Sequence, residues 1–530
     1  MKTGLFISRC EGALEEVLNL GELAVAFSSD ALPLIVDSFY NSTDIAKMVK
    51  LVGEYQLDSV VLAGNSDNQH KTTRQGELLV ELLEQEGINP NRIATVNIKE
   101  HLSYVHMQGK PAQRKAEALI RVALAKVRMA GDIEVVSIIP RKAVAVLGLN
   151  EEAYFTAERL LYRDFRVYLI GMGEQEADLN SAPNSKAKAV TAYVDLHPKA
   201  KILSNCQVSD LFGWPGEFTL QLVQGDTPVT LDVGAILVAD NTSAELVSQL
   251  RPILHLGTGE DGLFTSVAAD TLPVNSIEEG IFIIPPNMPD VLSIRVSLAD
   301  SAALAIINYL EQPEIIHNNV ISEVNAAKCG GCGTCVKTCS FKASSIDADR
   351  ISRIDPKRCK GCGNCVTACP TGARDLLTYP QRYLLEAIKI LGAADLEKDK
   401  KVLALLCEGC GIKAFDRSGE RRDTYPESIL PLGVRCGGNI DTQLIMEAFV
   451  HGFDGVVICK CDEEHCLNIV GNADLDRRAN LFREILRSRG IDDDLLRIVE
   501  TTPGDEGQCI SSARELYDII CGKGGIADEQ

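Results

Sequence analysis

The sequence predicts an α/β multidomain protein: two N-terminal α/β domains, a small domain built around cysteines, and a last α/β domain with a parallel sheet. Three observations carry that expectation. Short apolar runs alternate with amphipathic stretches through most of the 530 residues, as strands and helices do when helices cover a parallel sheet. Two cysteine runs of identical spacing interrupt the alternation between residues 329 and 370. Beyond them, three further apolar runs each lead directly into cysteine. A chain of this length should hold three or four domains, with boundaries read at 1–130, 131–320, 321–380 and 381–530.

The two central runs, CGGCGTCVKTCS and CKGCGNCVTACPTGA, both space their cysteines C-x2-C-x2-C-x3-C. That is the spacing of bacterial two-cluster ferredoxins, in which the fourth cysteine of each run ligates the other cluster. Cys329, Cys332 and Cys335 are therefore expected to hold one 4Fe–4S cluster with Cys369. Cys359, Cys362 and Cys365 should hold the second with Cys339. Gly330, Gly331, Gly333, Gly361 and Gly363 leave room for backbone amides to approach cluster sulfur. The first run carries Ser340 where the second has Pro370. Structural zinc closes with four ligands and has no use for eight, and a long chain without a secretory signal is a poor disulfide framework. The stretch points to electron transfer.

Charge narrows the partners. Lys plus Arg number 53 against 74 Asp plus Glu, a formal charge of −21, which argues against nucleic acid and anionic lipid surfaces. Locally the balance reverses. Lys328, Lys337, Lys342, Arg350, Arg353, Lys357, Arg358, Lys360 and Arg374 face only Asp347, Asp349 and Asp355. Cations there would raise the potential of nearby clusters; a solvated basic face is the equal alternative. No apolar run reaches 18 residues, so no membrane span is expected. The opening MKTGLFISRCEGALEE does not read as a signal peptide. A reducing cytoplasm, that of an anaerobe, is the expected compartment, with peripheral attachment at the inner membrane face through partner subunits as the variant of it.

In chain order, LAVAF (23–27) and DSVVLAG (58–64) read as buried parallel strands, and KAEALIRVALAKV (115–127) as an amphipathic helix. Cys10 is the one cysteine of this first domain, and His101, His106 and Met107 are expected to pack and cap rather than to ligate. The second domain opens with RKAVAVLGLNEEAYFTAERLL and continues to FRVYLIG, a strand–turn–helix–strand in the manner of a dinucleotide-binding unit. Its fingerprint is degenerate: Gly148-x-Asn150-x-x-Ala153 lacks the second glycine, and Ile170-Gly171 stands where a ribose-binding acid belongs. Gly148, Asn150 and Ala153 mark the place of the cofactor turn, and bound FAD is disfavoured. A polar loop is expected over 173–188, strands in TLQLV, VTLDVGAILVAD and GIFIIPP, and a helix in SLADSAALAIINYLEQ.

After the helix QRYLLEAIKIL, the runs VLALL, ILPLGV and DGVVI read as parallel strands. Carboxyl ends of parallel strands converge on one sheet edge, where open α/β folds place their ligands. Cys407, Cys410, Cys436, Cys461 and Cys466 would meet there, four of the five serving as ligands. Four thiolates suit 2Fe–2S, 4Fe–4S or zinc, with iron–sulfur favoured because the ferredoxin-type unit precedes. Cys10, Cys206, Cys459, Cys509 and Cys521 remain as small buried hydrophobes.

Residues 1 to about 380 resemble the A subunit of heterodisulfide reductase, through EHLSYVHMQGKPAQRKAEALIRVALAKVR, LHPKAKILSNCQVSDLFGWPGEFTLQL, VGAILVAD and the paired cysteine runs. Residues from about 400 to 505 resemble the iron–sulfur delta subunit of methyl-viologen-reducing hydrogenases, through CEGC, RCGGNID and AFVHGFDGVVICKCDEEHC. The fusion is similar to the B subunit of the quinone-interacting membrane-bound oxidoreductase. The resemblance implies a 2Fe–2S cluster on the C-terminal cysteines. It implies partner subunits as well: heterodisulfide reductase B/C-like, hydrogenase- or formate-dehydrogenase-like, or a membrane quinone-interacting subunit. The family's first domain carries a cluster of its own; here SRCEGAL, SFYNS and AGNSDNQ keep only Cys10, so that cluster is not expected. The degenerate turn likewise sets flavin-based bifurcation aside. The expected function is an electron-relay subunit. A flavoenzyme of the reductase A type and a scaffold with a C-terminal zinc site are its rivals.

Overall fold

The first apolar run, Thr3–Ser8, is buried at every residue, as a strand covered on both faces must be. In the computed structural model, described over residues 1–172, 185–259, 261–265, 273–289, 291–396, 400–462, 466, 468, 471–502 and 507–522, it is one of four parallel strands. Their order is Leu32–Val36, Thr3–Ser8, Ser59–Gly64, Ile93–Asn97. The run at 23–27 is not a strand. It lies in the helix Leu20–Ala26 and its C-cap, because the Asn19 side chain accepts the Glu22 amide and starts a helix that alanine and leucine favour. LPLIV at 32–36 supplies the strand instead.

The helix expected at 115–127 extends over Lys110–Met129, with Pro111 in its first turn, where a missing amide costs nothing. Its Leu119 and Leu124 share one core with Leu384 and Ile388 of the helix Gln381–Gly392 and with Leu403 and Leu405 of a second sheet. That sheet is wholly parallel, in the order Ile429–Val434, Val402–Cys407, Gly455–Cys461, Leu496–Thr501. At about 1.5–3 kcal/mol for each fully buried aliphatic side chain, this core outweighs surface pairs such as Arg114–Asp395, worth about 0–1 kcal/mol. Residues 1–134 and 320–530 accordingly form one compact unit.

Residues 135–319 form the other. Its seven-stranded sheet runs Thr227–Val233, Glu217–Gln224, Ala200–Trp214, Arg166–Met172, Ala143–Leu147, Ala235–Val238, Ile281–Ile283. The last five are parallel to their neighbours, while the first two form an antiparallel hairpin on the long strand Ala200–Trp214. Helices Glu151–Tyr162 and Leu292–Leu310 share an apolar core on one face of the sheet. Of the loop expected over 173–188, residues 173–184 lie outside the described residues, and 185–188 begin the helix Ser185–Leu196. Among the described residues no helix is long and apolar enough to cross a membrane.

Candidate metal centre

The paired cysteine runs fold into two halves related by a pseudo-twofold axis. Each run bends through two left-handed glycines: Gly331 (φ +62°) and Gly333 (+77°) in the first, Gly361 (+61°) and Gly363 (+84°) in the second. A Cβ would be excluded at Gly331, 2.3 Å from the Arg350 carbonyl oxygen, and at Gly361, 2.7 Å from that of Val320. A one-turn helix follows each bend, Thr334–Lys337 and Asn364–Thr367. Two small antiparallel pairs close the halves: Ser322–Val324 with Arg374–Leu376, and Ser344–Ile346 with Ser352–Ile354.

Cys329, Cys332 and Cys335 line one cavity together with Cys369, the fourth cysteine of the other run. Cys339 in turn acts electrostatically on Cys359 and Cys365. The surrounding contacts repeat at an offset of thirty residues. Ala343 N donates to Cys339 Sγ at 3.3 Å and Ala373 N to Cys369 Sγ at 3.3 Å. Ser352 Oγ lies 3.2 Å from Cys335 Sγ, and Ser322 Oγ 3.4 Å from Cys365 Sγ. Amides and hydroxyls aimed at sulfur are what a thiolate-held cluster requires around it. The halves differ in their surroundings. Burial pushes the thiols of Cys359, Cys362 and Cys365 up. Exposed Cys332 is held down by the hydroxyl and amide of Thr334.

The basic residues around these runs divide in the same way. Seven of the nine are exposed and Arg358 is half-buried, whereas Arg374 is 3 % exposed. Sequence could count these charges but could not say which one leaves the solvent.

In the C-terminal sheet, the strand ends deliver cysteine to one edge. Cys407 ends Val402–Cys407, Cys410 caps the helix Gly411–Glu420, and Cys461 ends Gly455–Cys461. With Cys466 they form a contiguous buried group. Cys407 Sγ lies 3.5 Å from Cys461 Sγ, and Gly411 N donates to Cys407 Sγ at 3.4 Å. The neighbouring Cys461 thiol and burial together push Cys407 well above the ordinary thiol range. Cys436 follows the strand Ile429–Val434 and accepts the Gly438 amide at 3.4 Å. Its charge acts on Cys466 of this group and Cys407 acts on it in turn, while burial followed by the Cys436 sulfur pushes the Cys362 thiol up.

That proximity comes from a polar clasp with no motif of its own in the sequence. A Cβ at Gly363 would stand 2.6 Å from the Asn439 side chain, so the two backbones meet closely. Thr367 Oγ1 donates to the Gly438 carbonyl at 2.9 Å, and Arg478 donates to both at 3.0 Å. Asn364 Nδ2 donates to Asp474 Oδ2 at 2.6 Å. The asparagine within CGNC was the one available hint.

The remaining candidates fall elsewhere. Gly148 (φ +128°) makes the turn after Ala143–Leu147, and a Cβ there would stand 2.8 Å from Asp240 N. Asn150 caps the helix Glu151–Tyr162: its Oδ1 accepts the Ala153 amide at 3.0 Å and its Nδ2 donates to the Ala239 carbonyl at 2.9 Å. Beside it is a cavity of about 130 Å³ lined by Asn150, Glu152, Asn241, Thr242 and Arg295. Leu149 covers Gly171, its Cδ1 lying 2.5 Å from where a Cβ would stand. His101 Nε2 pairs with Asp416 Oδ1 at 2.7 Å and His106 Nε2 with Lys115 Nζ at 2.8 Å. Met107 departs from expectation: it is 88 % exposed. Cys10, Cys206, Cys459 and Cys509 are buried, while Cys521 is only half-buried at the C-terminal end of the last helix.

Two cysteine runs sharing their fourth residues across a pseudo-twofold axis define an iron–sulfur protein of the dicluster type, whose work is electron transfer. Residues 328–373 and 351–413 match the 4Fe-4S dicluster domain, and residues 402–522 match the methyl-viologen-reducing hydrogenase, delta subunit. Through that last segment the chain belongs to the hydrogenase delta-subunit family. It is 31% identical over 123 residues to the iron-sulfur D chain of the vhc F420-non-reducing hydrogenase of Methanococcus voltae, covering 23% of this chain and 85% of that one. The corresponding iron-sulfur protein of the F420-non-reducing hydrogenase of Archaeoglobus profundus is 29% identical over 129 residues, covering 24% of this chain and 93% of that one. The N-terminal half is homologous to the A subunit of the ferredoxin:CoB-CoM heterodisulfide reductase of Methanosarcina mazei, 31% identical over 275 residues, 50% of this chain and 34% of that one. The chain thus spans about a third of that relative's length.

Proposed function

We propose that this iron–sulfur protein is an internal electron relay in a redox complex of heterodisulfide-reductase type. In this reading Cys329, Cys332, Cys335 and Cys369 hold one 4Fe–4S cluster, and Cys359, Cys362, Cys365 and Cys339 the other. Cys407, Cys410, Cys461 and Cys466, the four that pack together, hold a 2Fe–2S cluster, with Cys436 on the side toward Cys362. Bound clusters supply one-electron chemistry. The residues of the chain hold them, bury the C-terminal cysteines away from water and fix their spacing. A hydrogenase- or formate-dehydrogenase-like partner docks at the C-terminal domain. A reductase B/C-like or quinone-interacting partner docks where Cys332 is exposed beside Lys328 and Lys337.

The observation that carries this reading is the clasp around Gly363 and Asn439, which sets Cys362 of the dicluster unit beside Cys436 of the C-terminal domain. Two unrelated cysteine sets have no structural reason to meet, whereas a relay requires it. The rival flavoenzyme reading meets a turn that does not fit. The Asn150 carboxamide already satisfies the helix N-terminus that a pyrophosphate would use, and the adjoining cavity of about 130 Å³ is well below the roughly 300 Å³ of even small ligand pockets. Iron analysis after anaerobic reconstitution tests the proposal: about ten iron atoms per chain are expected from two 4Fe–4S and one 2Fe–2S cluster. Saturation near eight with one zinc would overturn the C-terminal assignment and favour the scaffold reading.

A further inference from the structure

The sequence offset of thirty residues that relates the two cysteine runs also relates Ser344 to Arg374. Equivalent positions of a pseudo-twofold pair come together only near the axis, and these two touch: Arg374 Nη2 donates to Ser344 Oγ. The guanidinium therefore lies between the halves. Arg374 borders the cavity of Cys329, Cys332, Cys335 and Cys369, where its backbone amide donates to Cys369. Its charge also acts on Cys359 and Cys365 of the other set, opposing the effect of burial there.

Arg374 is 3 % exposed, and its Nε and Nη1 have no hydrogen-bond partner in the chain. A buried guanidinium with two unmet N–H donors is costly unless something accepts from it. Among the described residues it forms no salt bridge with a carboxylate. The acceptor that fits is the sulfur of a cluster held by the cysteines around it.

We infer that Arg374 is the positioning residue that sets the potentials of the two 4Fe–4S clusters, by donating Nε–H and Nη1–H to cluster sulfur and holding a permanent positive charge between them. The inference rests on the relay reading above. Arg374 stays protonated throughout, because guanidinium does not titrate in proteins. An electron delivered to either cysteine set by a one-electron donor therefore brings no proton with it, and the cation balances the added charge. The Ser344 hydroxyl orients the guanidinium. The exposed Lys and Arg nearby are screened by solvent.

The test uses the full chain, reconstituted anaerobically and titrated with dithionite while paramagnetic resonance follows each reduced cluster. Iron content is measured alongside, so loss of the clusters is distinguished from a change in their potential. Arg374→Gln should disfavour reduction at least tenfold, a drop of about 59 mV for a one-electron couple, with iron content retained. Arg374→Lys, which keeps the charge without the fork, should show a smaller drop. Unchanged potentials in a fully loaded Arg374→Gln chain would overturn the inference and leave the relay standing. Should that variant fail to load, the native chain decides. Grown with arginine 15N-labelled only at its guanidino nitrogens, its reduced clusters should show a nitrogen hyperfine coupling that Arg374→Lys removes. Absence of the coupling overturns the inference.

Discussion

Lys115→Met should abolish a rise of stability with pH that the native chain is expected to show. Lys115 lies within the helix Lys110–Met129 and is 0 % exposed. Its Nζ lies 2.8 Å from His106 Nε2, donates to the Ile429 carbonyl at 3.0 Å and stands 4.5 Å from the Tyr425 ring centre. Burial lowers its pKa from 10.5 to about 7, with the Glu427 carboxylate pulling the other way. The folded value is thus depressed below the unfolded one. Between about pH 7 and pH 10 the unfolded chain holds a proton that the folded chain has shed, so stability rises with pH across that window and is flat below it. At about 1.4 kcal/mol per pH unit, the gain from pH 7 to pH 9 is about 2 kcal/mol. Methionine fills the space without a titrating group, and the Ile429 carbonyl loses its lysine donor at about 1–3 kcal/mol.

Urea unfolding under argon at pH 6, 7, 8 and 9 measures this, with far-UV circular dichroism reporting the chain. Trp214, the single tryptophan, lies in the other compact unit, 135–319. Its fluorescence is the internal control and should give the same transition in both proteins at every pH. The native chain should gain about 2 kcal/mol over the window and the variant almost none. His106 and Glu427 also face the ammonium, so His106→Gln is the companion: it should keep most of the slope. Equal slopes in the native chain and Lys115→Met would refute the reasoning.

Three further outcomes are expected. Cys369→Ser should damage the cluster held with Cys329, Cys332 and Cys335 rather than the one nearer in sequence; unchanged magnetic coupling between the reduced clusters would count against the crossing. Gly363→Ala places a side chain at φ +84° and 2.6 Å from Asn439, at a cost of about 1–2 kcal/mol for the left-handed backbone alone. Stopped-flow reduction should then show slower transfer between the C-terminal cysteines and the dicluster unit at unchanged iron content, and an unaltered rate would remove the clasp from the path. FAD added to cluster-loaded chain should show no stoichiometric fluorescence quenching: two lost contacts at about 1–3 kcal/mol each weaken binding about a hundredfold or more.

Cysteine spacing made the dicluster unit legible because both runs are short and each bend is fixed by its own glycines, so nothing remote decides their shape. The strand-ending cysteines of the last domain were legible for a similar reason: the carboxyl edge of a parallel sheet gathers whatever its strands deliver. LAVAF was misread because apolar content alone does not separate a short strand from a helix; the Asn19 cap decides it. The fourth strand of the last sheet, Leu496–Thr501, mixes Arg497, Glu500 and Thr501 with its apolar residues and lacks the apolar run that marked the other three. Arg374 and Asn439 stayed hidden because their roles depend on segments folding together, and charge counting assigns every cation to the surface by default.

The pseudo-twofold pair is symmetric in its bends and unequal in its setting, and the inequality bears on how a relay could work. Gly333 has open space where a Cβ would stand, while the equivalent Gly363 meets Asn439. Cys332 is exposed, while the equivalent Cys362 has its thiol pushed up by burial and by Cys436. The inner set thus lies in the drier environment, where added negative charge is harder to accommodate. Left alone, that gradient would hold electrons at the outer set and oppose their passage inward. The one buried cation of the unit sits on the axis, contributed by the second run alone, with a serine at its counterpart. A charge so placed favours reduction on both sides and offsets most where water is scarcest, because its field is least screened there. Burial and cation thus oppose each other at the inner set, and the smaller the difference they leave, the more easily electrons pass in either direction.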